Sequence, residues 1–330
     1  MEIVFSESVP VTDSSSVGEV RRTAIAAAQR LGFDETRAGE LALLATEASR
    51  NALIHGGGGQ VVIGGMGEQG NARATILAMD KGTGIPNVAQ AMSDGYSTAG
   101  TMGGGLGAMK RIATALEIFT GSTGTIVLLE LGEPAPANQP RVAGLTLPYP
   151  GERLCGDGWY CHFTPGRTMV LVVDGLGHGW GASEAAQEAI ATFRKHVRLS
   201  PVQILECIHD ALRKTRGAVA AVAEISPAEQ TIVYAGVGNI SGVLLWPGRS
   251  QNLVSHSGTL GSRITRIQDF RAPWSPDTIL ILHSDGLNSR WDLSSYAGLL
   301  ARHPAVIGGA LLRDFRRAHD DAGVVVVKAA

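Results

Sequence analysis

The stretch TEASRNALIHG, residues 46–56, decides the interpretation of the first third of the chain. Glu47 and Asn51 are four positions apart, so on a helix they share one face. An asparagine there offers a neutral oxygen to Mg²⁺, and a glutamate one turn earlier can orient or deprotonate an attacking hydroxyl. Such a pair is also common on a solvated helix face, so the neighbouring segments decide between the two interpretations.

The segment ARATILAMDKGTG, which follows, is typical of a strand that ends in a glycine-rich turn. Asp80 closes the strand, and Gly82 and Gly84 come next. A carboxylate at this place can accept a hydrogen bond from an adenine amino group while the glycine backbone closes over the ring. An ordinary β-turn has similar residues and is the structural alternative.

A second glycine-rich segment, GYSTAGTMGGGLG at residues 95–107, precedes a predicted helix. Backbone N–H groups ahead of a helix N-terminus are free to bind phosphates, and a flexible lid is the alternative. A final strand opens at Gly124, and its Thr125 hydroxyl is placed to reach the adenine side. The further nucleotide-binding residues that we predict are Ser97, Thr98, Gly103, Gly104, Gly105, Leu106, Gly107 and Thr125.

These segments, in this order, resemble the GHKL ATPases over residues 1–132, and residues 92–112 are most similar to the RsbT-like switch kinases of that family. The resemblance implies an α/β sandwich that binds ATP with Mg²⁺ held by Asn51. It also implies that Glu47 is the catalytic base of a serine/threonine kinase. Its implied substrate is a STAS-domain protein of the RsbS/RsbR type.

The element pattern of this part predicts strands and helices in alternation. We expect a strand over residues 2–10, a helix capped by Ser14 to Ser16 and closed by Gly32, and a helix over about 37–53. Two strands and the glycine-rich loop follow. A helix over 106–116 and a strand at GTIVLLEL complete the domain.

The rest of the chain places four aspartates at the ends of apolar, strand-like runs. They stand in GDGWY, VVDGLGHG, HSDGL and DDAGVVVV, and each on its own is compatible with a simple turn. Converging strand-end carboxylates are hard ligands that suit Mg²⁺ or Mn²⁺. Two such ions can activate water and hold a phosphate ester.

This motif series resembles the SpoIIE/RsbX-type metal-dependent protein phosphatases over residues 141–330. The resemblance implies an α/β/β/α sandwich. The implied metal ligands are Asp157, Asp174, Asp285, Asp321 and the carbonyl of Gly175. Gly158 departs from the larger residue common before the aromatic of the first motif. We also find no basic residue beside that motif to hold the substrate phosphate.

For three further side chains we favour a structural role. We interpret His178 as a hydrogen-bonding residue of its turn, with general-acid catalysis as the alternative. His283 is predicted to be a packed or bonded histidine within a strand, and Asn239 to be structural in the turn AGVGNIS.

The composition of the chain indicates where its domains meet and which partners and compartment to expect. EPAPANQP, residues 133–140, is typical of a linker between domains 1–132 and 141–330. A net charge of −2 does not favour nucleic acid or an anionic membrane surface as a partner. We also expect a cytoplasmic protein, because no apolar run is long enough for a bilayer, no leader peptide is visible and the three cysteines are odd in number.

The sequence therefore predicts a two-domain α/β protein that phosphorylates and dephosphorylates a STAS-domain signalling protein of a stress pathway. ATP, Mg²⁺ and Mn²⁺ are the expected cofactors, and a downstream regulator or sigma factor is a further expected partner. Two alternatives stay open. The N-terminal domain could bind ATP and sequester a partner without phosphorylating it, or it could be an RsbW-type anti-sigma factor.

Overall fold

The computed structural model describes residues 2–68, 71–92, 105–134 and 139–329. Its contacts divide the chain into two compact units. The first comprises residues 1–135 and 296–313, and the second comprises residues 136–295 and 314–330. The first unit therefore contains a segment from near the carboxyl end of the chain.

The first unit is built on one antiparallel sheet with strand order β1-β2-β3-β5-β4. Its strands are β1 (Glu2–Val11), β2 (Gly59–Glu68), β3 (Asn71–Met79), β4 (Ala115–Gly121) and β5 (Gly124–Gly132). Its helices in the N-terminal segment are α1 (Ser14–Leu31), α2 (Glu35–Gly56), the short α3 (Val88–Ala91) and α4 (Gly105–Ile112). Apolar side chains of α1, α2 and α4 pack on one face of the sheet and form its core.

The ends of α1 show how local chemistry fixes a helix. Asp13, rather than the serines that follow it, is the N-cap, and its side chain accepts hydrogen bonds from the Ser15 and Ser16 amides. Ser16 Oγ in turn accepts from the Asp13 amide, which completes a capping box. Gly32 ends the helix as predicted, with a φ of 71° that favours glycine.

The predicted helix over 106–116 is wrong in its last turn. The helix ends at Ile112, and residues 115–121 form β4, an edge strand that the sequence analysis missed. Leu116 pairs with Leu129 and Ile118 pairs with Val127 on β5, so the alternating apolar side chains face the core. Tertiary pairing therefore outweighs the helical propensity of a short apolar segment.

The other face of this sheet is covered by the segment from near the carboxyl end. Leu77 and Met79 of β3 lie opposite Leu128 and Ile126 of β5, and all four side chains are buried. A Cβ added at Gly309, on helix α7 (Pro304–Phe315), would lie 2.9 Å from Leu77 and 3.1 Å from Met79. Glycine therefore lets α7 approach the sheet closely.

Polar contacts at both ends of the segment accompany this packing. The His303 amide lies 3.3 Å from both carboxylate oxygens of Glu117, and the His303 ring lies 3.6 Å from Glu130. At the other end Arg313 donates a hydrogen bond to Thr123 in the turn between β4 and β5. The part of the segment from His303 to Arg313 is thus held at both ends.

The second unit contains two antiparallel five-stranded sheets, ordered β13-β10-β9-β8-β7 and β12-β11-β14-β15-β6. The strands are β6 (Arg141–Leu147), β7 (Asp157–Thr164), β8 (Arg167–Gly175), β9 (Ala218–Ser226), β10 (Thr231–Val237), β11 (Ser241–Trp246), β12 (Arg249–Leu253), β13 (Asp269–Pro273), β14 (Ile279–His283) and β15 (Ala322–Lys328). Helices α5 (Trp180–His196) and α6 (Pro201–Ala211) pack on the first of these sheets. The α/β/β/α prediction for this part is confirmed.

Two candidate functional sites

The first site lies where α2 meets the start of α4. A Cβ placed on Gly105 would lie 3.4 Å from Glu47 Oε2 and 3.7 Å from Asn51 Oδ1. The two side chains predicted to handle Mg²⁺ and the attacking hydroxyl therefore face the N-terminus of the helix predicted to bind phosphate. Arg50 engages the other carboxylate oxygen of Glu47 at 3.1 Å.

Asp80 stands at the end of β3, on the side of this site that was predicted to bind adenine. Its Oδ1 accepts hydrogen bonds from the Gly82 amide at 2.9 Å and from the Thr125 amide at 3.1 Å. The hydroxyl of Thr125 lies 3.1 Å from that of Thr120, which also accepts from the Ile85 amide. Oδ2 of Asp80 accepts no hydrogen bond from the described residues, so it is free to accept from a base.

Close backbone approaches explain the glycines around Asp80. A Cβ on Gly56 would lie 2.3 Å from the Asp80 Cβ, and one on Gly84, whose φ is +80°, would lie 2.4 Å from the Gly121 carbonyl oxygen. Gly105, Leu106 and Gly107 lie in the first turn of α4. Four of the predicted nucleotide-binding residues lie outside the described residues: Ser97, Thr98, Gly103 and Gly104.

The second site is an acidic cluster in the second unit. Asp157 on β7 pairs directly with Asp174 on β8, and such cross-strand neighbours have Cβ atoms about 5 Å apart. Asp285 follows β14 and Asp321 precedes β15, and these two strands are also paired. A Cβ on Gly286 would lie 1.8 Å from the Asp321 carbonyl oxygen, so glycine is required where these two segments meet.

Each aspartate of the cluster is oriented by a partner that the sequence did not reveal, except Asp174. Ser284 Oγ donates to Asp157 Oδ2 at 2.5 Å. Asn239 Nδ2 donates to Asp285 Oδ2 at 2.8 Å, so its role extends beyond the structural turn predicted for it. The Tyr149 amide donates to Asp321 Oδ1 at 2.8 Å.

Burial and mutual repulsion change the acidity of the cluster. Burial raises the pKa of Asp157 to about 8, and the neighbouring aspartates add to the shift. The pKa of Asp174 is raised to about 9, first by burial and then by the charges of Asp157 and Asp285. Carboxyls crowded in this way need a cation to be ionised together near neutral pH.

The donor set fits divalent metal ions. Asp321 is buried, and its Oδ2 has no hydrogen-bond partner in the described residues. Paired strands bring these carboxylates together in twos, as Asp157 lies opposite Asp174. That suits Mg²⁺, which commonly keeps several waters beside one or two carboxylates.

Packing against α5 explains the two glycines singled out in the motifs. A Cβ on Gly175 would lie 2.1 Å from the Ala182 carbonyl oxygen, so the chain after Asp174 passes directly under the helix. A Cβ on Gly158 would lie 2.9 Å from Ile190 and 3.3 Å from Val173. A larger residue at Gly158 would require the Ile190 side chain to shift.

His178 lies at the mouth of the site. Its ring stacks on Tyr149 with centroids 4.5 Å apart, and its Nδ1 contacts the Glu152 carboxylate. This agrees with the predicted hydrogen-bonding role. His283 is buried, and its Nε2 accepts from Trp291 Nε1, so it is the packed and bonded histidine that we predicted.

A pocket of about 520 Å³ opens over the acidic cluster. It is lined by Tyr149, Asp174, Leu176, Gly177, His178, Val219, Gly238, Asn239, Ser257, Gly258, Asp285, His319 and Asp320. Arg316 lies beside the cluster, but its guanidinium donates to the carbonyl oxygens of Pro148 and Asp320. Arg316 therefore links the segments that carry these two carbonyl groups.

No helix in the parts of the chain described above is long and apolar enough to cross a bilayer.

The N-terminal part of the chain is similar to known ATPase domains. The family model "Histidine kinase-like ATPase domain" matches residues 10–131. The serine/threonine-protein kinase RsbT of Bacillus subtilis (strain 168) is 35% identical over 85 residues. That alignment covers 26% of this chain and 64% of RsbT, so the chain spans just under two thirds of that kinase.

The second unit has relatives of its own. Phosphoserine phosphatase RsbX of Bacillus subtilis (strain 168) is 27% identical over 139 residues, which are 42% of this chain and 70% of RsbX. A structure described as "The bacterial stressosome: a modular system that has been adapted to control secondary messenger signaling" is 27% identical. It has a TM-score of 0.53 and covers 58% of this chain and 100% of that one. A crystal structure of RsbX with magnesium shares the fold at 21% identity and a TM-score of 0.53, covering 66% of this chain and 100% of that one.

The family model "Stage II sporulation protein E (SpoIIE)" matches residues 164–330, which is just over half of the chain. One chain therefore combines an ATPase domain with a phosphatase domain, as in a regulator of the partner-switching type. The chain belongs to the SpoIIE family, as a metal-dependent protein serine/threonine phosphatase joined to an N-terminal RsbT-like ATPase domain.

Proposed function

We propose that this protein adds phosphate to, and removes it from, a serine or threonine of a STAS-domain signalling protein. The observation that carries the proposal is the presence of two separate polar sites in one chain. Glu47 and Asn51 face the start of α4 in one unit, and four strand-end aspartates converge in the other.

In the kinase reaction, Asn51 would hold Mg²⁺ through its amide oxygen, and Asp80 Oδ2 would accept from the adenine amino group. Glu47 would take the proton of the substrate hydroxyl as the γ-phosphoryl group is transferred. The proposal is supported by the position of Glu47 Oε2, which faces Gly105 at the start of α4.

In the phosphatase reaction, Asp157, Asp174, Asp285, Asp321 and the Gly175 carbonyl would hold the ions. A bound divalent metal supplies Lewis-acid chemistry, since it makes water a nucleophile near neutral pH and offsets the charge of the phosphate. The chain itself keeps the aspartates in place through Ser284, Asn239 and the Tyr149 amide. The unpartnered Asp321 Oδ2 supports this assignment.

One observation favours the sequestering alternative for the N-terminal domain. Arg50 is paired with the carboxylate that a kinase needs as its base. If Arg50 keeps Glu47 engaged when ATP is bound, the domain would bind the partner and ATP without transfer. Phosphate transfer that depends on Glu47 would distinguish a kinase from a sequestering protein.

The test uses the full chain with STAS-domain proteins encoded in the same genome. Incubation with γ-labelled ATP and Mg²⁺ is expected to label one of them on serine or threonine. Removal of ATP and addition of Mn²⁺ is then expected to release the label as inorganic phosphate. Binding of ATP and partner without labelling would support sequestration, and Mn²⁺-independent release would contradict the phosphatase site.

A further inference from the structure

We propose that the surface around the phosphatase pocket recognises the polypeptide beside the phosphorylated residue, and that it selects a large apolar side chain there. This surface, the rim, consists of Leu154, Leu176, Trp180 and Arg216. The inference rests on the proposed phosphatase function and adds a substrate preference to it.

Exposed apolar side chains are concentrated at the rim. Seven large apolar side chains are well exposed in the described residues, and three of them are Leu154, Leu176 and Trp180, with Trp180 70% exposed. An exposed tryptophan is unusual, because its large apolar area is normally buried, and exposed apolar clusters mark binding sites. Tryptophan is also enriched among residues that dominate binding energy.

The three side chains come from two segments that pack together. A Cβ on Gly179 would lie 2.8 Å from Glu152, and one on Gly156 would lie 3.3 Å from the Gly177 carbonyl oxygen. The segment carrying Leu154 is therefore adjacent to the turn carrying Leu176 and Trp180. Leu176 also lines the pocket, so the rim reaches the acidic site through this residue.

Arg216 supplies a positive charge at the same place. Its Nη1 would lie 3.3 Å from a Cβ on Gly177, and its Nε would lie 2.6 Å from a Cβ on Gly181, so the guanidinium lies along the turn that carries Trp180. Among the described residues no carboxylate pairs with Arg216. The pocket wall is acidic, so this free cation is suited to attract a negatively charged phosphorylated segment.

These features together fit one occupant, a phosphoserine or phosphothreonine segment of a protein with a large apolar side chain next to the phosphorylated residue. The phosphate would enter the acidic pocket with its metals. The neighbouring apolar side chain would pack on Trp180 and Leu176, and Arg216 would attract the segment by its charge.

The test compares two synthetic phosphoserine peptides that differ only next to the phosphoserine, where one has leucine and the other serine. With Mn²⁺, the wild type is expected to favour the leucine peptide about tenfold in kcat/KM, through KM, because one apolar side chain is buried. Trp180→Ala should reduce that preference to about twofold or less. Trp180→Phe should keep most of it, as should Leu43→Ala, an exposed leucine of the other unit.

Arg216→Ala is expected to raise KM for both peptides severalfold and to weaken the salt dependence of KM. An unchanged leucine preference in Trp180→Ala, with Mn²⁺-dependent hydrolysis of p-nitrophenyl phosphate intact in the wild type, would overturn the inference and leave the phosphatase standing. A wild type that hydrolyses neither peptide nor p-nitrophenyl phosphate would instead remove the proposed function. A change from dimer to monomer in Trp180→Ala would show that a second copy of the chain covers the rim, which also overturns it.

Discussion

The Ser284 hydroxyl donates a hydrogen bond to Asp157 Oδ2 at 2.5 Å and accepts one from the Gly323 amide at 3.0 Å. Asp157 belongs to the sheet of β7 and β8, whereas Ser284 and Gly323 belong to the sheet of β14 and β15. A single hydroxyl therefore fixes the carboxylate of one sheet against the backbone of the other at the edge where the acidic cluster forms.

We expect Ser284→Ala to weaken Mn²⁺ binding by about tenfold or more, because loss of a group that orients a metal ligand typically costs 10- to 100-fold in affinity. Calorimetric titration of the full chain with Mn²⁺ measures the change. Ser294→Ala is the matched control, since Ser294 also donates to an aspartate, the exposed Asp292. Equal Mn²⁺ affinity in both variants would refute the role of Ser284.

Asp174 and Asp157 should differ in their effect on catalysis. Asp174 lines the pocket, whereas Asp157 is buried behind it and bonded to Ser284. Asp174→Asn is therefore expected to lower kcat for p-nitrophenyl phosphate by more than 100-fold, on the order expected when a central electrostatic group is lost, and Asp157→Asn by less. Chelator should abolish activity in all forms, and Asp292→Asn should have no effect. The reverse order of the two losses would contradict the greater role of Asp174 in the metal site.

The raised pKa values predict that the metal-free protein becomes less stable as the pH rises. In the folded protein the pKa is about 8 for Asp157 and about 9 for Asp174, whereas an aspartate in the unfolded chain has a pKa of about 4. Between these pH values the folded state holds protons that the unfolded chain has released. The free energy of unfolding then falls by up to about 1.4 kcal/mol per pH unit for each group.

The melting temperature in chelator is expected to drop from pH 6 to pH 9. It should drop less in Asp174→Asn, which has one titrating carboxyl fewer. Excess Mn²⁺ should reverse the trend, because metal replaces the protons. Superimposable pH profiles for the wild type and the variant would show that Asp174 does not titrate in this way.

The N-terminal site gives a prediction that separates binding from chemistry. Asn51→Ala should lower MgATP affinity by at least tenfold, because it removes the proposed Mg²⁺ ligand. Glu47→Gln should bind MgATP as the wild type does and transfer no phosphate, since an amide takes no proton. Glu40→Gln, two turns earlier on α2, is the control. Phosphotransfer by Glu47→Gln at the wild-type rate would exclude Glu47 as the base.

Site residues that lie within one short motif could be predicted from the sequence. Asp80 with its glycines and Asp174 with Gly175 combine strand end, carboxylate and close backbone approach within a few residues, and the structure places them accordingly. The sequence did not predict the hydrogen bonds made by Ser284, Asn239 and Thr120. Ser284 reaches Asp157 across 127 residues, and nothing local marks such a serine.

The position of α7 was equally unreadable, for a different reason. All residues from Pro304 to Arg313 are buried, so the helix has no polar face to show which surface it covers. Likewise, the residues of ALEIFTG follow a helical segment and suit either a helix or a strand. Only their pairing with β5 makes them a strand. When both sides of an element are apolar, the sequence pattern does not show which neighbouring element it packs against.

A fragment of residues 1–135 should be unstable on its own. Without α7, the side chains of Leu77, Met79, Ile126 and Leu128 are exposed to water, at a cost of about 1.5–3 kcal/mol for each. We expect the fragment to aggregate or self-associate, and addition of residues 296–313 in the same chain through a flexible linker to make it monomeric. Light scattering and melting temperature measure both effects, and a stable, monomeric 1–135 fragment would contradict the expectation.

The placement of α7 also bears on how the protein tolerates cleavage. A protease that cuts between residues 134 and 139 cleaves the chain where the first unit's N-terminal segment ends. The amino-terminal piece still has residues 296–313 packed against its sheet. The two pieces should therefore migrate together on gel filtration and part only in denaturant. Proteolysis at the linker would leave a non-covalent complex, and neither activity would be released from the other by a single cut.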